Sequence, residues 1–178
     1  MVEGIASGAR SDPEGEKAFK KGKKAITTSL FKWSADYFEG SVQFEKAAKS
    51  FTASGLEMRA MEAWLEYSNC CEKSNDMNGA AEGLQEAAFI SKDFDESIQL
   101  LTRADEFYKI GGYNDRGLGL MKRFAKQLVE RETEQASKKA MEVYENHLMT
   151  QVFEDDNYLL HTDIVETYLK LQVEQKDF

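Results

Sequence analysis

The chain has 178 residues, of which 42% are hydrophobic, and a formal charge of −9. This length suits one domain with a continuous core, and the negative charge argues against nucleic acid as a partner. No stretch approaches 18 uncharged apolar residues and no apolar run follows a basic start, so we predict no membrane span or signal peptide and a cytoplasmic location.

The predicted elements begin after a polar segment. Residues 1–13 lack a helical period and are expected to form a flexible leader, which ends at the single proline, Pro13. From residue 14 onward, apolar residues recur with a helical period in blocks of about 20 residues separated by short turns. The predicted helices are 14–28, 37–54, 57–74, 77–91, 94–110, 114–131, 134–153 and 157–175. No strand-like alternation interrupts them, so an all-α fold is predicted.

Short signals mark the ends of these helices. Asp36 with Glu39, and Asp93 with Glu96, have the spacing of a capping box, in which the two side chains satisfy each other's backbone N–H groups. Gly55 and Gly111 are predicted to take the left-handed conformation just beyond a helix end.

Two blocks resemble each other. Residues 38–55, "FEGSVQFEKAAKSFTASG", align without a gap to 94–111, "FDESIQLLTRADEFYKIG". Such self-similarity, with short turns, is typical of stacked helix pairs, and the pair period is near 40 residues. We therefore predict one helical-repeat domain over 14–178, a right-handed superhelical solenoid of antiparallel helix pairs with tetratricopeptide-like geometry.

The last three residues, Lys-Asp-Phe at 176–178, repeat the trio that opens the helix predicted at 94–110. They stand where a further helix is expected to begin. We therefore expect the natural array to continue beyond residue 178.

No catalytic or metal-binding motif emerges. His147 and His161 lack the spacing that places two ligands on one helical face, and no nucleophile motif is present, so neither an enzyme nor a cofactor is predicted. Cys70 and Cys71 are read as buried reduced thiols. Methionines and aromatic residues with helical spacing are expected to lie in the core, at Met58, Met61, Trp64, Tyr67, Met77, Phe89, Met121, Phe124, Met141, Tyr144 and Met149.

The segment "ITTSLFKWSADY" between the first two predicted helices permits two interpretations. Leu30, Phe31 and Trp33 could staple one helix to the next. Alternatively, they form an exposed apolar loop beside a run from Lys17 to Lys32 that holds six lysines and no acid, a combination suited to an anionic membrane.

Residues 14–51 resemble the N-terminal region of the soluble NSF attachment protein (SNAP) family, most of all its gamma type. The shared pattern is Phe-Lys-Trp-x-x-Asp-Tyr at 31–37 followed by Ala-Ala-x-x-Phe at 47–51. The next blocks, through "GLQEAAFISKDFDESIQLLTRADEFY", also follow the family's helix pattern. The resemblance becomes generic beyond residue 112.

The resemblance implies a cytoplasmic adaptor, peripheral on membranes, that lies along a syntaxin-type SNARE bundle and recruits the hexameric ATPase NSF. The family touches the membrane with the loop after its first helix, which here matches Leu30, Phe31 and Trp33. The basic neighbours of that loop would be Lys20, Lys21, Lys23, Lys24 and Lys32.

The family continues through more helices to a C-terminal region that stimulates NSF, and nothing here corresponds to that region. We therefore expect that this chain binds SNARE complexes or membrane but does not activate NSF. Basic residues are the candidates to face an acidic SNARE bundle, and we name Arg59, Arg103, Arg116, Lys122 and Arg123. The alternative function is a different tetratricopeptide-type scaffold that binds a peptide or helix in its concave groove.

Overall fold

The computed structural model describes residues 11–28, 33–131, 133–150 and 162–176. Eight α-helices and one π-helical turn occupy these ranges, and no strand occurs among them. The helices are α1 (Pro13–Ile26), α2 (Tyr37–Ala53), α3 (Glu57–Lys73), α4 (Met77–Ile90), α5 (Phe94–Ile110), α6 (Asn114–Val129), α7 (Glu134–Val143) and α8 (Thr162–Lys176). The all-α prediction is confirmed.

Most predicted helix boundaries agree with the structure to within two residues, and the main exception is the helix predicted at 134–153. Helix α1 starts at Pro13, and Asp12 caps it by accepting a hydrogen bond from the Gly15 N–H at 2.9 Å. The last two residues of the predicted leader therefore belong to folded structure. Helix α7 passes into a π-helical turn at Tyr144–Leu148, whereas the break between the helices predicted at 134–153 and 157–175 lies outside the described residues.

Three connections share one turn geometry. Gly55, Asn75 and Gly112 each have a positive φ, of 67°, 61° and 79°. In each turn the next N–H returns to a carbonyl five residues earlier, as the Leu56 N–H does to Phe51 O at 2.9 Å. The prediction for Gly55 is confirmed. The prediction for Gly111 is wrong, because Gly111 keeps right-handed angles and the next residue, Gly112, takes the left-handed position.

The turn geometry corrects the alignment of the two similar blocks. The N-caps are Asp36 and Asp93 and the left-handed glycines are Gly55 and Gly112, so equivalent positions differ by 57 residues. The ungapped sequence alignment is therefore shifted by one residue. In particular, Phe94 is not the structural counterpart of Phe38.

One half of the first capping box is also corrected. The Asp36 side chain accepts a hydrogen bond from the Glu39 N–H at 2.9 Å, as predicted. The Glu39 carboxylate binds Gln43 instead of reaching back, and the Asp36 N–H donates to the carbonyl of Ala25 at 3.0 Å. Asp36 therefore fastens the start of α2 to the end of α1.

Contacts divide the chain into two compact units, Met1–Ser91 and Lys92–Phe178. In the first unit, helices α1 to α4 pack consecutively around buried aromatic and small side chains. The ring centroids of Phe19 and Phe44 lie 5.3 Å apart, edge to face. Gly22 allows this close crossing of α1 and α2, because a Cβ there would meet the Phe44 ring at 2.9 Å.

Ion pairs also join alternate helices within each unit. In the first unit, two ion pairs join α3 to α1. Arg59 on α3 pairs with Glu16 on α1, and Glu66 on α3 pairs with Lys23 on α1; the partners of each pair are 43 residues apart in sequence. In the second unit, Lys139 on α7 binds Asp95 on α5. Helices two positions apart are thus neighbours, as expected for stacked antiparallel helix pairs with a period near 40 residues.

The core prediction for the methionines fails at Met58. That side chain is 79% exposed at the start of α3, whereas Met61, Met121 and Met141 are buried as expected. Trp64 is also buried, at 8% exposure.

Candidate functional site

Hydrogen bonds attach both ends of the connection between α1 and α2 to the last turn of α1. The Thr27 N–H donates to Lys23 O at 3.1 Å, and the Asp36 N–H donates to Ala25 O at 3.0 Å. Both ends of the intervening loop are therefore held on one rigid helix end. Leu30, Phe31 and Lys32 lie outside the described residues.

Trp33 is the most exposed large apolar side chain of the described residues, with 94% of its surface accessible. A staple between α1 and α2 would require its indole ring to be packed against them. The exposure of Trp33 thus favours the exposed-loop interpretation over the staple. An exposed tryptophan is available to contact a partner or a lipid surface.

The lysines of α1 separate into two groups. Lys17, Lys20, Lys21 and Lys24 are exposed, and with Pro13 and Glu16 they line one open depression. Their spacing places them on one helical stripe about 10 Å long. Lys17, Lys20 and Lys21 have no ion-pair partner in the described part of the chain. These three lysines can therefore attract an anionic surface without breaking salt bridges.

Lys23 does not belong to the basic stripe. Its ammonium group forms an ion pair of 2.5 Å with Glu66 on α3 and lies 5.4 Å from the centroid of the Phe19 ring. This contact joins α1 to α3 and turns Lys23 away from the other four. Of the predicted basic neighbours, Lys20, Lys21 and Lys24 are brought together, and Lys23 is not.

Arg59 is likewise occupied within the fold. Its guanidinium donates two hydrogen bonds of 2.9 Å to the carboxylate of Glu16 and lies 4.4 Å from the Phe19 ring centroid. The hydrogen bonds that Arg59 donates to Glu16 raise the pKa of Arg59 above its ordinary value. We assign Arg59 to the packing of α1 on α3, and its predicted contact with a partner stays a prediction.

The other predicted partner-facing residues lie in the second unit. Arg103 lies over the Phe107 ring, with its guanidinium carbon 5.3 Å from the centroid. Arg116 lies 5.1 Å from the Tyr113 ring centroid, and Lys122 pairs with Asp163. Arg116 and Arg123 are exposed and seven residues apart, so they share one face of α6.

The two cysteines are free and buried, as predicted. Burial raises the pKa of Cys70 to about 12 and that of Cys71 to about 11. Both thiols are thus protonated and unreactive at neutral pH, as expected for packing residues of α3.

Metal-binding clusters and membrane-spanning helices are both absent from the described part of the chain. No group of three or more His, Cys, Asp or Glu side chains there could hold a metal ion. No helix in this part of the chain is long and apolar enough to cross a bilayer.

Sequence reasoning missed two exposed side chains near this loop. Lys17 was counted in the run of six lysines but not among the basic neighbours of the loop. It completes the basic stripe, as its position three residues before Lys20 indicates. Phe38 is 75% exposed, and the shifted alignment concealed this by pairing it with Phe94.

The fold and these surfaces define a protein of stacked helix pairs that presents apolar and basic side chains for contact. The sequence profile described as "Soluble NSF attachment protein, SNAP" matches residues 12–171. The chain belongs to the soluble NSF attachment protein family, which confirms the predicted class of helical-repeat solenoid.

A relative named gamma-soluble NSF attachment protein, from Dictyostelium discoideum, is 28% identical to the chain over 128 residues. The match covers 70% of this chain and 40% of the relative. The chain thus spans well under half the length of that relative in the match. The resemblance to the gamma type is confirmed by this relative.

Proposed function

We propose that the chain belongs to an adaptor that binds assembled SNARE complexes and membrane and recruits NSF for SNARE disassembly, and that the helices described above supply the SNARE and membrane contacts. The observation that carries the proposal is the family match over residues 12–171, which covers helices of both units. The adaptor would act through charged and aromatic contacts and through the arrangement of its helices, and not by making or breaking covalent bonds.

The membrane contact would combine the loop with the basic stripe. Trp33 is exposed beside the end of α1, and the stripe at Lys17, Lys20, Lys21 and Lys24 is exposed along the same helix. Partial insertion of Leu30, Phe31 and Trp33 would give roughly 3–4 kcal/mol. The lysines would add about 1–2 kcal/mol on an anionic surface.

Together these terms correspond to a dissociation constant of roughly 0.2 mM. Such a contact cannot hold the protein on a membrane alone. It becomes effective when a SNARE bundle anchored in the same membrane is bound at the same time, because the second contact is then intramolecular.

The SNARE contact would use exposed basic residues of the second unit. Arg116 and Arg123 share one face of α6, which suits an elongated acidic partner. Lys122 forms an ion pair with Asp163, and Arg103 lies on a different helix, α5. We therefore place Arg116 and Arg123 first among the candidates.

Capture on immobilised partners tests the SNARE contact. We expect the chain to be retained on an assembled SNARE bundle more strongly than on single SNARE helices. The variant R116E/R123E should reduce that retention several-fold, whereas R59K, which alters a residue engaged within the fold, should not. Equal retention on single helices or on an extended peptide would instead support a general peptide-binding scaffold.

A further inference from the structure

Phe38, the second residue of α2, is 75% exposed although α2 has a well-defined buried face. Phe44 and Phe51 occupy that buried face, at 0% exposure. Val42 lies one turn after Phe38, on the same side of the helix, and is also exposed. The outer side of the first turn of α2 is therefore apolar without contributing to the core.

The repeat does not require apolar residues at these positions. With the register of 57 residues, Phe38 and Val42 correspond to Asp95 and Gln99 on α5. Asp95 forms an ion pair with Lys139, and Gln99 is exposed. Polar side chains at the equivalent positions of α5 are therefore compatible with the fold, and core packing does not explain the phenylalanine at position 38.

Phe38 is close to the contact loop. Phe38 comes five positions after Trp33 in the sequence, so their Cα atoms are at most about 18 Å apart. The hydrogen bond from the Asp36 N–H to Ala25 O fixes the start of α2 against the end of α1, which carries the basic stripe. Two exposed aromatic side chains and exposed lysines therefore surround one end of the α1–α2 pair.

We propose that Phe38 is a second lipid-contacting side chain, which inserts beside Trp33 when the α1–α2 pair docks on an anionic bilayer. This inference rests on the proposed membrane contact and adds a rigid anchor to it. Because Phe38 stands on a helix, its insertion fixes how α1 and α2 are oriented on the surface. The basic stripe supplies the charge complementarity that selects an anionic bilayer as the occupant.

The binding test compares F38S with M58S in the full chain. Met58 is exposed to a similar degree, at 79%, but lies beyond the opposite end of α2, about 25 Å from Phe38. Affinity is measured by co-sedimentation with vesicles of phosphatidylcholine and phosphatidylserine. F38S should weaken binding about five-fold, as expected when roughly half of a phenylalanine side chain leaves water. M58S should leave binding unchanged.

Tryptophan fluorescence gives a second reading that does not depend on affinity. The chain has two tryptophans, Trp33 and the buried Trp64. In the variant W33F/W64F/F38W, the single indole at position 38 should shift its emission to the blue on these vesicles. An unchanged emission on bound protein, or equal losses in F38S and M58S, would overturn the proposal.

Failure of the inference and failure of the membrane contact give different results. In W64F, Trp33 is the single indole and reports the loop alone. A blue shift at Trp33 without any effect at position 38 would reject the role of Phe38 and keep the loop contact. No shift at Trp33, and no vesicle binding by the wild-type chain, would reject both.

Discussion

At the scale of single residues, Gly117 shows how a missing side chain creates room for a carboxylate. A Cβ at Gly117 would lie 1.7 Å from Oδ1 of Asp105. That oxygen is buried and accepts no hydrogen bond from the described residues, while Oδ2 pairs with Lys109 at 2.8 Å. The glycine thus permits α6 to approach α5 at the carboxylate.

The variant G117A should lower the free energy of unfolding by about 1–3 kcal/mol, because the new methyl group displaces the Asp105 carboxylate. Gly119 on the same helix provides a matched control, since nothing lies within 4 Å of its Cβ position. G119A should stabilise the chain by up to about 1 kcal/mol. Urea denaturation measures both variants, and equal stabilities would contradict this account of Gly117.

The sequence did not show which lysines of α1 face solvent and which are paired within the fold. The run from Lys17 to Lys32 was visible, but Lys23 lies one residue before Lys24 and points about 100° away around the helix. Its partner, Glu66, is 43 residues distant in sequence. A contact of that range depends on how α3 packs, so local spacing could not reveal it.

At the scale of helices, Arg59 couples α3 to α1 through Glu16 and the Phe19 ring. R59A removes both contacts and should lower the free energy of unfolding by about 1–2 kcal/mol. K49A is the control, because Lys49 forms only an exposed pair with Glu45 on its own helix, worth about 0.5 kcal/mol or less. Thermal melting distinguishes them, and an equal effect of the two variants would show that Arg59 is not an inter-helix link.

The π-helical turn holds His147 in a partly buried position. Burial lowers the pKa of His147 below its ordinary value, and the positive charge of Lys109 lowers this pKa further. The negative charges of Asp105 and Glu142 on the neighbouring helices raise the pKa, but their effect is smaller than that of burial. The unfolded chain therefore binds a proton near pH 6.5 that the native chain takes up only at lower pH. Stability contributed by neutral His147 is lost as the pH falls through this window.

We expect H147Q to reduce the fall in melting temperature between pH 7.5 and pH 5.5. H161Q serves as the comparison, since His161 is the other histidine of the chain. A pH dependence that is the same in H147Q and the wild-type chain would contradict a buried, neutral His147.

Helix existence was predictable from sequence because each helix carries its own apolar period and its own end signals. Asp36 and Asp93 cap their helices as their spacing indicated. The exact register was not predictable, because Gly111 and Gly112 can both end a helix and only the backbone shows which one takes a positive φ. That one-residue choice shifted the repeat alignment and concealed the exposure of Phe38.

At the scale of the whole molecule, the charge is distributed unevenly. The chain carries −9 overall, yet the six lysines of residues 17–32 include a stripe on α1 that faces solvent. The sequence identified this segment and the neighbouring apolar loop. It left two interpretations of the loop open because a short apolar segment between helices can be buried or exposed, and the exposure of Trp33 now favours the contact loop.

We propose that one chain engages a SNARE bundle and the membrane that carries this bundle at the same time. Flotation with anionic vesicles that carry assembled SNARE bundles tests it most directly. The wild-type chain should bind these vesicles at concentrations at least about ten-fold lower than bare vesicles, because the two contacts are linked. The variant with Leu30, Phe31 and Trp33 changed to serine should lose most of this gain, with little change in melting temperature because Trp33 is exposed. Equal flotation of the two proteins, or no effect of the bundles, would contradict the account.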